Sequence, residues 1–390
     1  MVSDVNMKWS NRLAIIIGAA SSTVILAYLT SGFGWRQAAL FGVGLVAGLI
    51  LYHAAFGFTS AWREIVLSGR SAGLRAQMLM LALTVLIFTP LIAQGELGGT
   101  ALRGNVYPLN TAVVFGAFLF GVGMQLGSGC ASGTLFSVGG GNTRMVITLA
   151  AFIAGSVLGA WHWSEWQGAA GLAPISLLEE YGATSAIVTS LLFFAAIWAA
   201  SIAIERRRNR NVKTDRTVDT AYSWLRGPWP LIAGAVGLCA VNVATLALAG
   251  RPWGITSGFA LWGSKVLASS GVDVASWAYW QRPRYATALT DSVFTNITSV
   301  MNFGIVLGAL IAAGLAEKFA PSWRLSRRSI MSAIVGGLLM GYGARIAFGC
   351  NIGAFFSGVA SVSVSGWLWF IAAFIGSIVG TRLRPRFGMT

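Results

Sequence analysis

The chain has 390 residues, of which 56% are hydrophobic and only 10% charged, against about 25% charged in a typical soluble domain. That composition excludes an ordinary soluble protein, and the apolar runs far exceed the roughly 10-residue alternating strands of an outer-membrane barrel, leaving an all-α polytopic membrane protein. The net charge is +15, and its placement along the chain decides whether it signals orientation or a ligand.

Apolar windows of helical length predict ten spans, at 13–30, 36–55, 76–94, 111–127, 143–161, 185–204, 230–249, 286–316, 330–347 and 366–381. Residues 13–29, behind Lys8 and Arg12, also have the look of a cleaved signal, but no clear Ala-x-Ala site follows, which favours a first transmembrane helix. With a cytoplasmic start and one crossing per span, the run Arg206, Arg207, Arg208, Arg210, Lys213 and Arg216 returns to the inside. So do Lys318, Arg324, Arg327 and Arg328, and the tail with Arg382, Arg384 and Arg386. Adding Arg63, Arg70, Arg75, Arg144 and Arg226, 20 of the 27 basic residues read as positive-inside signals, and both termini are expected in the cytoplasm. The basicity therefore does not call for a nucleic-acid partner.

Five stretches between spans are too polar or too rich in glycine to cross: 56–70, 95–108, 128–142, 251–270 and 349–365. They are expected to form half-helices and re-entrant loops, because non-helical backbone at membrane depth is tolerated only where protein or a water-filled cavity surrounds it. The pairs Gly44/Gly48, Gly155/Gly159, Gly304/Gly308, Gly337/Gly341 and Gly376/Gly380 have small-xxx-small spacing and predict close helix packing rather than function.

Residues 116–136 align without gaps on 336–356 with eight identities, among them Gly129-Cys130 on Gly349-Cys350. Gly155-Ser156 and Gly159 fall on Gly376-Ser377 and Gly380 after a one-residue offset, and Phe56–Trp62 resembles Trp253–Phe259. Markers in the same order predict a duplicated unit. Five crossings separate the paired spans, and an odd number inverts the copy; inverted repeats with broken helices form sites near the midplane. The expected organisation is an extra transmembrane helix at 1–35, one repeat at 36–165, a linking transmembrane helix and basic cytoplasmic loop at 166–229, and the second repeat with a basic tail at 230–390.

Each of the two aligned cysteines sits in a Gly-Cys-x-x-Gly segment, where the flanking glycines permit positive φ and close backbone approach. A helix that starts there exposes N–H groups, which favour an anion, beside a thiol, a weak donor with a polarizable sulfur. The candidate substrate-binding residues are Cys130, Cys350, Gly129, Gly349, Ser132, Asn351, Thr59, Ser60, Thr256 and Ser257, with Arg345 and its aligned mate Gln125. Arg345 lies in an otherwise apolar span and needs a ligand anion or carbonyls, unless it snorkels to the near interface. Lys265 is open to the same alternatives. Cys239, in an apolar run, reads as a filler. Three scattered cysteines do not make a disulfide framework, two histidines without a carboxylate cluster do not make a metal site, and no cofactor is called for.

The Gly-x-Gly…Gly-Cys-x-x-Gly pattern in both halves, with the segments 250–257 and 56–63, resembles the YeeE/YedE-type sulfur-transport proteins over about residues 36–381. The resemblance implies an hourglass-shaped protein of the bacterial inner membrane that takes up thiosulfate through a short series of cysteine contacts, Cys130 and Cys350 among them. Members of that family commonly carry a cysteine where this chain has Gly57, so a relay of three thiols is in doubt here. The leading expectation is a non-enzymatic transporter of thiosulfate or a related sulfur anion. The alternative is a membrane sulfurtransferase that forms a cysteine persulfide for a cytosolic sulfur-carrier protein, which needs an activated thiolate; His53 and His162 are far in sequence from both cysteines.

Overall fold

A backbone in lipid must satisfy its own N–H and C=O groups, and long runs of Leu, Ile, Val and Ala do so here as helices. The structure is a computed structural model and describes residues 2–208, 223–283, 285 and 287–389, the side chains of residues 2–8 excepted. Its helices are α1 Val2–Gly32, α2 Trp35–His53, α3 Phe58–Ser68, α4 Ala72–Gln94, α5 Thr111–Gly127, α6 Ala131–Gly139, α7 Thr143–Trp161, α8 Trp163–Trp166, α9 Leu177–Arg208, α10 Leu231–Ala249, α11 Thr256–Ser269, α12 Ile297–Leu315, α13 Arg327–Ile346, α14 Ser357–Ala360 and α15 Val364–Leu383. A π-helical turn covers Asn351–Phe356, and two minimal strand pairs join Glu96–Leu97 to Thr100–Ala101 and Leu109–Asn110 to Gly171–Leu172.

Among the described residues, ten helical segments are long and apolar enough to cross a membrane. They coincide with the predicted spans except at 286–316, where the helix begins only at Ile297. The described residues of 270–296 instead form a series of turns, and Asn296 caps α12 by accepting the N–H of Ser299 at 2.9 Å. The difference has a simple origin: the apolar residues of this stretch do not outweigh Thr290, Ser292, Thr295 and Asn296, whose side chains bind nearby backbone in turns. The stretch 95–108 is likewise not a half-helix but a hairpin followed by extended chain. Arg210, Lys213 and Arg216 of the basic loop lie outside the described residues.

The other short stretches hold short helices. At 1.5 Å per residue, α3, α6 and α11 are about 16, 13 and 21 Å long, well under the roughly 30 Å of a bilayer core.

Glycine packing places these short helices. A Cβ on Gly341 would stand 2.2 Å from the carbonyl oxygen of Phe152, one on Gly155 2.3 Å from that of Leu338, and one on Gly121 2.0 Å from that of Ala373. Such distances mean backbone against backbone, which van der Waals attraction rewards in lipid. Gly44 and Gly48 of α2 meet Met301 and Ile305 of α12 in the same way, while Gly304 and Gly308 meet Phe41 and Leu45. α13 thus lies along α7 in the same direction, α5 lies along α15, and α5 and α13 cross the centre antiparallel, with Gly116 against Gly343 and Gly123 against Gly336.

Gly341→Val is therefore expected to abolish the monodisperse folded species in detergent, since carbonyl backbone cannot move aside. Gly42→Ala, with nothing within 4 Å, should leave the melting temperature unchanged or raise stability by about 0.4–1 kcal/mol. A stable Gly341→Val protein would refute this packing.

Candidate functional site at the cysteine turns

Four short elements start beside one another in the protein interior. α3 starts after Gly57, α6 after Cys130, α11 after Ile255 and the π turn after Cys350, and no side chain caps any of them. By contrast, α5, α7, α12 and α13 are capped by Asn110, Asn142, Asn296 and Ser326. At the cysteine turns the residue in the cap position is Cys130 or Cys350 itself, and the Cys130 sulfur stands 3.3 Å from Ser132 Oγ.

Cross-contacts tie the four starts together. The rings of Phe58 and Phe355 meet edge-on at 6.1 Å, and Gly353 lies against the Cα of Gly254. Both cysteines are free and 1% exposed. Cys239, also buried and free, sits away from them on α10 beside Thr84.

The turns differ from expectation in one respect. Of the four flanking glycines only Gly349 has a positive φ; the left-handed residues are Ser128 (φ 65) and Phe348 (φ 62), each just before the glycine. Such a conformation costs about 1–2 kcal/mol in a residue with a Cβ. A Cβ on Gly129 would stand 2.7 Å from Met145 Cε, the movable end of a flexible side chain, and 3.3 Å from the backbone of Gly133 and Thr134.

Polar groups around the thiols are incompletely paired. Asn351 is fully buried, yet neither Nδ2 nor Oδ1 has a partner; Thr59 Oγ1, Gln125 Oε1 and Arg345 Nε are also buried without one. Each such atom costs about 1–3 kcal/mol and asks for an explanation. Gln125 is otherwise fixed, since Nε2 donates to Thr59 O at 3.0 Å and to Ser377 Oγ at 2.7 Å. Ser257 Oγ donates to Thr298 Oγ1 at 3.0 Å and Ser60 Oγ to Gly57 O at 3.2 Å, while Thr256 is buried at the first position of α11.

Two cavities reach this centre. One, of about 50 Å³, is lined by Arg251, Arg345, Asn105, Tyr107, Ser257 and Phe348 and touches Gly349 and Gly353 on either side of Cys350. The other, of about 110 Å³, lies at Gly57, Ser60, Glu64 and Gln77. Arg345 does not snorkel. It is 5% exposed, its guanidinium lies 4.9 Å from the Tyr279 ring centre, and Nη1 donates to the Tyr279 hydroxyl. Lys265 donates to the carbonyls of Leu289 and Asp291, anchoring the turns of 270–296.

Several contributors carried no signal in the sequence reading. Asn105 Nδ2 donates to Gly353 O at 3.0 Å, Tyr107 comes from the extended stretch expected as a half-helix or re-entrant loop, and Tyr279 from turns that lie between the predicted stretch 251–270 and the predicted span 286–316. Two arginines assigned to orientation also have structural work. Arg144 donates to the carbonyls of Leu126 and Gly127 at 2.7 and 3.0 Å, and Arg384, 7% exposed rather than a free tail charge, donates to Gln125 O at 2.7 Å. Together they satisfy the C-terminal carbonyls of α5, just before Cys130.

Comparison with known proteins places this geometry. A family model described as sulphur transport matches residues 53–379. The probable transporter YedE of Escherichia coli (strain K12) is 34% identical over 161 residues, 41% of this chain but only 39% of that protein's length. The thiosulfate transporter TsuA of Spirochaeta thermophila is 28% identical over 359 residues, covering 86% of this chain and 95% of the relative. The thiosulfate transporter TsuA of Escherichia coli (strain K12) is 22% identical over 347 residues, covering 85% and 90%.

The capping role of Arg384 is open to a stability test. Arg384→Ala should lower stability by about 1.5–3 kcal/mol, the scale of a hydrogen bond to a charged group, whereas Arg382→Ala, an exposed neighbour, should melt like the parent in detergent. Equal melting of the two variants would remove Arg384 from the α5 terminus.

Proposed function

This chain belongs to the sulphur-transport family, and we propose that it carries a sulfur-containing anion, thiosulfate first among them, across a bacterial inner membrane. The observation that carries this reading is the pair of buried thiols, each standing where a helix N-terminal cap would stand, next to Asn351 with both ends of its amide unpartnered. Uncapped N-termini place about half a positive charge each, and in a medium of low dielectric that attraction for an anion is stronger than in water.

In this reading the anion enters from the outside through the cavity of Arg251 and Arg345, where two guanidinium groups replace part of its hydration. It moves to Cys350 and Asn351, then to Cys130 and Ser132, and leaves through the cavity at Gly57 and Ser60, with Thr59, Gln125, Thr256 and Ser257 along the walls. Thiols, amide N–H groups and hydroxyls are modest donors, and conduction needs sites that bind and release rather than one tight site. Both chain ends face the cytoplasm. Support for a duplicated unit comes from reciprocal contacts. Gly116 against Gly343 exchanges with Gly336 against Gly123 when the aligned numbers are swapped, and Gly121 against Ser377 exchanges with Gly341 against Ser156.

Uptake of labelled thiosulfate should fall at least about tenfold, or 1.4 kcal/mol, in Cys130→Ser and in Cys350→Ser, with Cys239→Ser unchanged. Parental rates in both of the first two variants would take the thiols out of the path. A persulfide detected by mass spectrometry on Cys130 or Cys350 after exposure to substrate would replace transport by sulfur transfer to a cytosolic carrier.

A further inference from the structure

The two cysteine turns share a backbone and differ in what they carry. Ser128 and Phe348 occupy aligned positions and both are left-handed, but Ser128 is small and exposed whereas Phe348 is a half-buried ring. A bulky residue with positive φ is an outlier, and it persists only where its surroundings over-determine it. Two rings do so. Tyr107 stacks on Phe348 with centroids 4.9 Å apart and planes 11° apart, and Trp163 meets it edge-on at 5.5 Å and 86°. Tyr107 is held in turn by its own N–H, which donates to Ser365 Oγ at 3.3 Å, and by Asn105, two residues before it, bonded to Gly353 O.

Both stacked rings wall the cavity of about 50 Å³ that contains Arg251 and Arg345 and abuts the Cys350 turn. The arginines set its charge preference and read the geometry of one anionic head. The length of anion that fits is set by the walls, and the Tyr107–Phe348 pair, held by the contacts above, is part of that wall.

We propose that the Tyr107–Phe348 stack is the size filter of this site, admitting a dianion with one tetrahedral head, such as thiosulfate, and excluding a dianion with two. The inference rests on the transport reading given above. It assigns a specificity-determining role to the stacked faces of two rings, and it gives the left-handed φ at Phe348 a use, since that backbone accompanies the ring's place in the cavity wall.

The test is competition between labelled thiosulfate and ethane-1,2-disulfonate, a two-headed dianion that does not react with thiols. The parent protein should be inhibited weakly. In Tyr107→Ala and Phe348→Gly the disulfonate should inhibit at least about tenfold more tightly, a shift easily resolved in affinity, with the KM for thiosulfate altered far less. Phe348→Tyr, which keeps the stack, should restore the parental selectivity. Glycine adopts φ near 62° freely, so Phe348→Gly keeps the turn even if other truncations fail to fold. Equally weak inhibition of the parent and both variants, strong inhibition of the parent, or loss of thiosulfate uptake in folded Tyr107→Ala and Phe348→Gly would each overturn the filter. A parent protein that takes up no thiosulfate would overturn the transport reading instead.

Discussion

Backbone N–H groups at the start of a helix need an acceptor, and here four helix starts are buried together where their own sequence offers no side-chain cap. The centre of the protein is organised around that deficit. Cys130 and Cys350 occupy two of the cap positions without a cap hydrogen bond. A soluble protein can leave such groups to water. In the middle of a membrane the deficit must be met by protein or, in the transport reading proposed above, by an anionic cargo.

The deficit can be created only because the surrounding helices come unusually close. Gly116, Gly123, Gly336 and Gly343 let α5 and α13 touch backbone to backbone, and Gly121, Gly155 and Gly341 repeat the arrangement toward α15 and α7. With their long neighbours packed this tightly, α3, α6 and α11 can stop partway. The same economy governs the cations. Arg144 and Arg384 serve the negative end of α5, and Arg208 donates to Ile65 O and Val66 O at the negative end of α3. Positive side chains thus hold helix C-termini while helix N-termini are left open at the centre.

What could be read in advance follows from where each signal resides. Ten spans, the cysteine alignment and the glycine spacing are local patterns, and each sits in a contiguous window. Arg345 is marked as costly by sequence but not resolved, because its partner Tyr279 is 66 residues away in a turn segment outside every predicted span. Asn105 and Tyr107 reach the site through contacts some 250 residues apart in sequence, which periodicity does not record. Arg384 was read by its position in the tail, and its burial depends on the tail folding back. Glycine is the usual occupant of a left-handed position, whereas here the left-handed residues are Ser128 and Phe348, one residue before the glycines.

That placement has a wider meaning. Residues as unlike as Ser128 and Phe348 take the same left-handed conformation, so the turn does not call for one residue type at that position, and what surrounds it differs between the two copies. The position two residues before each cysteine is therefore a socket that accepts unlike side chains on one backbone. In the transport reading proposed above, the two ends of the path could then be altered separately, one without rebuilding the other.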